Sequence, residues 1–365
     1  MIKLAKGSST PAVSGRGKSL TLPCAVFCYS GHTGDRRAKG DSGGHETGEA
    51  DAVETPVILV YNENPESIAE YLRGRKCPGR LLTASTPDAA RRLIKDAEIV
   101  FAWKLPPEVY AQASNLRWIQ SMGAGVEDLV ANGRIAPSVV MTRIVGQFGA
   151  PIAEYVFAEI LYRQRNLAEA RRLQQARTWQ RFPFGSLKGQ VIGVAGLGSI
   201  GLEIVRRARA FDMHIVGLSR RRHGTEEVDC AYDGTEWGIF VRDLDYLVVT
   251  LPLSAATEGV VNGTVFSAMK PTAVVMNVGR GRVIEQNDLI HAVRSKQIAG
   301  AVLDVFEEEP LPPDSPLWNL PGVVVTPHIS GPSVDDEIGE FFLGNLTRFL
   351  QGQFLHGAVD RTLGY

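Results

Sequence analysis

Residues 190–208 constrain the fold of this chain more than any other segment. The apolar run at 190–195 (QVIGVA) has the pattern of a buried strand and leads directly into GLGSIG at 196–201. Apolar residues then follow at helical spacing, at Ile200, Ile204, Val205 and Ala208. A strand, a G-x-G-x-x-G turn and a helix in this order are typical of a dinucleotide-binding unit in a parallel sheet. The sequence therefore predicts an α/β fold that binds a dinucleotide.

Each glycine of this turn meets a different requirement of such a site. Gly196 permits the tight turn, Gly198 lets the backbone approach a pyrophosphate, and Gly201 allows the helix to pack closely on the strand. The helix N-terminus also presents unpaired amide groups to the phosphates. We therefore predict that the cofactor contacts Gly196, Gly198, Ser199, Ile200 and Gly201. The alternative is a tight turn that binds no ligand.

The end of the next predicted strand, 214–218, indicates which dinucleotide binds. An NAD-specific site places Asp or Glu there to accept hydrogen bonds from the ribose 2′-hydroxyl, but this chain has Ser219, Arg220 and Arg221. A hydroxyl and guanidinium groups bind a 2′-phosphate and neutralise its charge, whereas a carboxylate would repel it. We predict NADP(H) as the preferred cofactor and NAD(H) as the alternative. A solvated basic turn would explain the same residues without a cofactor.

The N-terminal segment differs in composition from everything after it. Residues 1–55 carry nine of the 38 glycines together with repeated Ser, Thr and Pro, which predicts a disordered leader. An organelle-targeting peptide is the alternative, because the first acidic residue is Asp35.

Two α/β blocks are predicted from residue 56 onward, because short apolar runs alternate with helical stretches. A long helix at about 150–176 is expected to connect them, and an amphipathic helix at 334–349 to return to the first block. We predict a substrate (catalytic) domain at 56–149 plus 331–365. A dinucleotide-binding domain is predicted at 150–330.

Composition makes several other classes of function improbable. A net charge of -1 provides no general positive field for nucleic acid. No apolar run approaches the ~20 residues of a membrane-spanning helix. The four cysteines are too few and scattered for a disulfide framework, and they lack the partners of a zinc site. We therefore expect a cytoplasmic protein with reduced thiols, and neither a metal, a membrane nor nucleic acid as partner.

Three further apolar strands are followed by charged or titratable side chains that could take part in catalysis. The strand at 274–277 leads to Arg280 between two glycines, the one at 301–305 leads to a run of acids that includes Glu309, and the one at 323–325 leads to His328. Ligands of open parallel sheets bind beyond the carboxyl ends of the strands. We therefore expect these three strand ends to converge beside the nicotinamide.

Together with the glycine turn, these segments resemble the D-2-hydroxyacid dehydrogenase family, most closely its glyoxylate/hydroxypyruvate reductase branch, over about residues 56–365. The resemblance implies two Rossmann-like parallel-sheet domains with the active site in the cleft between them, and a homodimer. It implies that Arg280 holds the substrate carboxylate and polarises the carbonyl, that His328 is the acid/base, and that Glu309 is its partner. It also implies cofactor contacts by Thr250, Pro252 and Asp304, and substrate contacts by Trp103, Gly123, Ala124, Gly125 and Val126.

The chemistry of that family asks for these residue types. Hydride delivery to a 2-keto acid builds negative charge on the carbonyl oxygen, so a proton donor and a fixed cation lower the barrier. A neighbouring carboxylate favours the charged form of a histidine, and an arginine binds a planar carboxylate through two hydrogen bonds. We predict NADPH-dependent reduction of a small 2-keto acid, such as glyoxylate or hydroxypyruvate, to a D-2-hydroxy acid.

Two alternatives stay open. A formate dehydrogenase has the same fold but is expected to carry glutamine in place of Glu309. A nucleotide-sensing binding protein of the corepressor type would keep the dinucleotide site and the Arg, Glu and His set without being a metabolic enzyme.

Overall fold

Two parallel β-sheets form the framework of the chain. The computed structural model describes residues 55–220 and 224–364, all within one compact unit, Ala50–Tyr365. The α/β fold with two parallel sheets that the sequence predicts is confirmed. The predicted leader, apart from Thr55, and the predicted cofactor residue Arg221 lie outside the described residues.

The first sheet has five strands in the order β2-β1-β3-β4-β5, all paired in parallel. The strands are β1 Val57–Tyr61, β2 Arg80–Ala84, β3 Ile99–Ala102, β4 Trp118–Ser121 and β5 Val140–Thr142. The helices of this region are α1 Pro65–Gly74, α2 Pro87–Leu93 and α3 Glu127–Val130, with a 3₁₀ helix at Pro107–Gln112. Strands β3 and β4 are buried along their whole length, which explains why they read as continuous apolar runs.

The predicted long helical stretch at about 150–176 is divided into two helices in the structure. They are α4 Gly149–Gln164 and α5 Leu167–Gln175. The break falls at Asn166, whose φ of 49° is left-handed, a conformation that asparagine tolerates better than most residues. The predicted apolar stripe of Ile152, Val156 and Ile160 is nevertheless buried.

The second sheet has seven parallel strands in the order β12-β11-β10-β9-β6-β7-β8. The strands are β6 Val191–Ala195, β7 His214–Leu218, β8 Cys230–Tyr232, β9 Tyr246–Val249, β10 Val274–Asn277, β11 Gly300–Leu303 and β12 Val323–Val325. The helices are α6 Ser199–Ala210, α7 Trp237–Phe240, α8 Gly263–Ala268 and α9 Gln286–Arg294. Shorter 3₁₀ helices lie at Thr225–Glu227, Gly281–Val283 and Pro316–Asn319.

The topology of the second sheet fixes where a ligand binds. Strand β6 pairs with β7 on one side and with β9 on the other, so the strand order reverses at β6. The GLGSIG turn (residues 196–201) follows β6 and therefore lies at this switch point. Open α/β sheets bind ligands at the carboxyl ends of the strands beside such a point.

The C-terminal helix α10 (Asp335–Leu350) packs against the first sheet. Phe342 stacks on Phe101, with ring centroids 4.4 Å apart, and on Trp118 at 5.2 Å. Beyond the helix, Arg361 donates hydrogen bonds to the carbonyl oxygens of Ile135, Ala136 and Val139. The domain boundaries at 149 and 330 stay predictions. Among the described helices, none is long and apolar enough to span a membrane.

Candidate active site

A cleft of about 390 Å³ opens at the carboxyl edge of the second sheet. Residues of both sheet regions line it, and they include most of those predicted from the sequence. These are Ala124, Gly125, Val126, Gly196, Gly198, Ser199, Ile200, Gly201, Ser219, Arg220, Thr250, Pro252 and Arg280. The predicted residues Trp103, Gly123, Asp304, Glu309 and His328 are outside this lining.

The GLGSIG turn has the shape that a pyrophosphate requires. Gly196 has a φ of 102°, which is left-handed, and its carbonyl oxygen accepts a hydrogen bond from Thr250 Oγ1 at 2.9 Å. A β-carbon on Gly201 would overlap that same carbonyl oxygen, whereas the space around Gly198 is open. The turn leads into the N-terminus of α6, a helix of 12 residues. Its residues therefore fit a dinucleotide phosphate.

The charges along the lining favour an anionic ligand. Three arginines, Arg143, Arg220 and Arg280, line the cleft, and among the described lining residues Glu127 is the one carboxylate. Ser219 and Arg220 follow β7, and the Arg220 stem packs against Gly234. Among residues 55–220 and 224–364, no group of three His, Cys, Asp or Glu side chains could hold a metal ion.

Arg280 joins the two sheet regions at the cleft. Its Nε donates to Glu127 Oε1 at 2.8 Å, and its Nη1 donates to the Gly279 carbonyl at 2.7 Å. Its Nη2 lies so close to Gly125 that a β-carbon there would overlap it. The side chains of Arg280 and Glu127 are 28% and 26% exposed. The guanidinium is thus fixed at two points with its Nη2 beside the turn at 123–126, the GAGV turn.

Sequence reasoning missed Glu127. It stands next to the predicted GAGV turn, but it lies 153 residues from Arg280 along the chain. Its position directly after that turn was the one available signal, and nothing in the local pattern distinguished it from a solvated helix residue.

His328 and Glu309 form the predicted pair at the ends of β12 and β11. His328 Nδ1 lies 2.8 Å from Glu309 Oε2, and the Phe306 amide donates to Glu309 Oε1 at 3.1 Å. Burial alone would raise the pKa of Glu309. The hydrogen bonds from His328 and Phe306, together with the charges of His328 and Lys104, outweigh burial, so the net pKa lies below its ordinary value.

Asp304 organises the loop that carries His328. Its carboxylate is fully buried and accepts hydrogen bonds from Thr326 Oγ1 at 2.7 Å and from the amides of Ile329 and Ser330 at 2.9 Å. The His328 amide also donates to the Asp304 carbonyl at 2.9 Å, and His328 has a left-handed φ of 54°. A contact from Asp304 to the nicotinamide stays a prediction.

A chain of contacts connects Arg280 with the His328 pair. A β-carbon on Gly281 would overlap the Phe306 carbonyl, and the Phe306 amide binds Glu309. The three strands that carry these residues, β10, β11 and β12, are neighbours and parallel. Arg280, Glu309 and His328 therefore lie at the same edge of one sheet.

Trp103 and Lys104 approach this centre from the end of β3. The indole ring of Trp103 packs directly against Gly123, so a β-carbon at that position would overlap the ring. Trp103 is 38% exposed, and Lys104 Nζ lies 5.5 Å from its ring centroid. The sequence patterns did not single out Lys104.

Comparisons with known proteins identify relatives of both halves of the chain. Residues 157–330 match the family described as D-isomer specific 2-hydroxyacid dehydrogenase, NAD binding domain. The glyoxylate/hydroxypyruvate reductase A of Photorhabdus laumondii is 30% identical over 277 residues, which cover 74% of this chain and 88% of that protein.

Solved structures are similar to a larger share of the chain. A D-isomer specific 2-hydroxyacid dehydrogenase family protein from Aeromonas salmonicida is 34% identical, with a TM-score of 0.78, over 84% of this chain and 100% of that one. An NADPH-dependent glyoxylate/hydroxypyruvate reductase from Sinorhizobium meliloti, solved with NADP and sulfate, is 28% identical. Its TM-score is 0.78, over 86% of this chain and 100% of that one.

Proposed function

Because the chain belongs to the D-isomer specific 2-hydroxyacid dehydrogenase family, we propose that it reduces a small 2-keto acid of the glyoxylate/hydroxypyruvate class with NADPH. The product is a D-2-hydroxy acid where it is chiral. One observation carries this proposal: Arg280 is fixed against the GAGV turn at the same sheet edge as the His328–Glu309 pair. An anion site, a proton donor and the partner of that donor are thus assembled beside a dinucleotide turn.

Each group of this edge has a distinct task in the proposed reaction. Arg280 Nη2 and the amides of the GAGV turn bind the substrate carboxylate. Because Glu309 occupies His328 Nδ1, the other ring nitrogen is left to donate a proton to the carbonyl oxygen. Arg280 also stabilises the negative charge that develops on this oxygen. Glu127 fixes the guanidinium, which makes it a positioning residue.

The nucleotide half supports NADPH as the cofactor. When bound, NADPH supplies the hydride. The GLGSIG turn would hold its pyrophosphate, and Ser219 with Arg220 would bind its 2′-phosphate, since neither residue is a carboxylate. The similar Sinorhizobium meliloti enzyme is named NADPH-dependent and was solved with NADP. NAD(H) is the alternative cofactor.

A direct assay tests the proposed function. Purified protein is mixed with glyoxylate or hydroxypyruvate and with NADPH or NADH, and the absorbance of the reduced nicotinamide is followed. We expect consumption of NADPH, slower consumption of NADH, and D-glycerate from hydroxypyruvate. If folded protein consumes neither cofactor, the reductase proposal fails and the nucleotide-sensing alternative gains support.

The cofactor preference has a separate test. Replacing Arg220 or Arg221 with alanine should raise the KM for NADPH more than the KM for NADH, because only NADPH carries the 2′-phosphate. Arg282→Ala is the matched control, since Arg282 pairs with Glu258 on the surface. Equal effects of Arg220→Ala on both cofactors would remove this argument.

We also propose that the protein is a cytoplasmic homodimer. Large aromatic side chains are exposed in the segment after α5, where Trp179 is fully exposed and Phe184 is 61% exposed. Exposed aromatic residues of this kind are enriched at interfaces between subunits. Light scattering should give a dimer for the natural chain and a monomer for Trp179→Ser with Phe184→Ser. A monomeric natural chain would contradict the proposed dimer. The proposed cytoplasmic location is tested separately, by cell fractionation.

A further inference from the structure

We propose that Lys104 is a specificity residue that binds a second negatively charged group on the substrate, so that the enzyme also reduces small 2-keto diacids. This inference rests on the proposed function, because it concerns the same site and the same reaction. Nothing in the reaction changes: the hydride still goes to the carbonyl carbon and the proton to its oxygen.

The backbone holds Lys104 in an unusual conformation directly after β3. Its φ of 47° is left-handed, which is uncommon and costly for a residue with a long side chain. Such conformations persist where the surrounding structure enforces them, and they cluster at binding sites. Lys296 shares this conformation, so the position of Lys104 at the end of β3 beside Trp103, and not its φ alone, distinguishes it.

The ammonium group of Lys104 forms no ion pair with a described carboxylate, although its charge acts on Glu309. Its Nζ lies over the Trp103 ring at 5.5 Å from the centroid. A cation–π contact at an exposed position is weak, so an anionic ligand can compete with it. The charge of Lys104 therefore remains available to an anionic ligand.

The position of Lys104 relative to the reacting groups decides which anion it meets. The charge of Lys104 contributes to the lowered pKa of Glu309, the partner of His328. Trp103 covers Gly123 at one end of the GAGV turn, and Arg280 covers Gly125 two residues further on. Arg280 thus lies against Gly125, and Lys104 lies over the indole ring that covers Gly123.

This arrangement matches the shape of a keto diacid. Arg280 and the turn bind the carboxylate next to the carbonyl, His328 lies at the carbonyl oxygen, and the remaining carbons extend toward Trp103 and Lys104. A second carboxylate one carbon beyond the carbonyl then meets the ammonium. Glyoxylate has no such carbons, so it cannot use Lys104 and serves as an internal reference.

The test compares substrates in matched lysine variants. Initial rates are measured with NADPH and glyoxylate, hydroxypyruvate or oxaloacetate in the natural chain, Lys104→Met, Lys104→Arg and Lys296→Met. Lys296 is an exposed lysine with a left-handed φ of 62° after α9, away from the cleft, so its variant controls for loss of such a lysine.

We expect Lys104→Met to raise the KM for oxaloacetate at least tenfold more than it raises the KM for glyoxylate. Lys104→Arg should retain use of the diacid, and Lys296→Met should match the natural chain. Reduction of glyoxylate together with an unchanged oxaloacetate KM in Lys104→Met would overturn the inference while leaving the proposed function in place.

A binding measurement keeps the two proposals distinguishable. If no keto acid is reduced, the proposed function fails, and calorimetric titration of oxaloacetate into the protein with NADPH still tests Lys104. Weaker oxaloacetate binding in Lys104→Met than in Lys296→Met supports the inference. Equal binding in the two variants, or no binding to the natural chain, overturns it.

Discussion

Two histidine–carboxylate pairs lie at opposite edges of the seven-stranded sheet. His328 Nδ1 is 2.8 Å from Glu309 Oε2, and His214 Nδ1 is 3.2 Å from Asp229 Oδ2. The exposures of the side chains are also alike, at 42% and 30% for the first pair and 43% and 27% for the second. By local geometry alone, either pair would serve as an acid/base.

The difference lies in what surrounds each pair. His214 is the first residue of β7, so its pair is at the amino edge, where Asp229 also binds the Ile215 amide and Arg209. The other pair follows β11 and β12 at the carboxyl edge, the edge at which Arg280 and the GLGSIG turn also lie. Because parallel sheets bind ligands at their carboxyl edge, position rather than pair geometry distinguishes a site from a structural contact.

The largest expected effect comes from replacing each histidine in turn. His328→Asn should lower kcat by about 10²–10⁴, the usual contribution of a positioned proton donor. His214→Asn should leave kcat within twofold of the natural chain. Rates of glyoxylate reduction at saturating NADPH check both, and equal losses in the two variants would break the contrast.

Replacing the two carboxylates should give opposite results. Glu309→Gln should lower kcat by about 10–100-fold, because His328 loses the carboxylate that holds its Nδ1 and orients its ring. Asp229→Asn should leave kcat unchanged but destabilise the fold by about 1–3 kcal/mol, since charge-assisted bonds to Arg209 and Ile215 weaken. Rates and urea unfolding curves for both variants separate these effects. A loss of activity in Asp229→Asn without loss of stability would contradict the assignment.

A third comparison tests whether an arginine at the carboxyl edge binds substrate by its location alone or also needs a positioning partner. Arg280 pairs with Glu127 across the cleft, whereas Arg282, two residues later, pairs with Glu258 on the surface. Glu127→Ala should raise the KM for the keto acid about tenfold, because a charge-assisted hydrogen bond that fixes Arg280 is lost. Glu127→Asp should recover part of this loss, and Glu258→Ala should change the KM less than twofold. A KM unchanged in Glu127→Ala would show that Arg280 needs no positioning.

The sequence predicts those features that follow from local patterns and parallel topology. The GLGSIG turn predicts the strand before it and the helix after it. Arg280, Glu309 and His328 lie at one edge because the strands that precede them run in parallel. The same topology explains why His214, at the beginning of a strand, has no matching motif. The predicted sheet architecture therefore places Arg280, Glu309 and His328 at one edge.

Features that depend on distant contacts or on one backbone angle were not predictable in this way. The pairing of Glu127 with Arg280 requires knowing how two sheet regions meet, and the hydrogen bonds of Asp304 depend on the path of a loop. The end of α4 depends on the left-handed Asn166, within a sequence that otherwise continues in a helical pattern. Periodicity does not encode either kind of information.

The smallest expected effect concerns how acid destabilises the amino-edge pair. Burial raises the pKa of Asp229, but the bonds from Arg209 and Ile215 and the charges of Arg209 and His214 lower it below its ordinary value. A lowered pKa in the folded state means that the stabilisation is complete above the unfolded-state pKa and disappears as the pH falls through the folded-state value. The free energy of unfolding should therefore differ between the natural chain and Asp229→Asn at neutral pH, and this difference should shrink by about 1 kcal/mol toward pH values below the ordinary aspartate range.

Urea unfolding across a pH series measures this difference. The control is Asp212→Asn, because Asp212 belongs to an exposed and longer ion pair. A difference that stays constant from neutral to acidic pH would mean that the charge of Asp229 does not stabilise this edge.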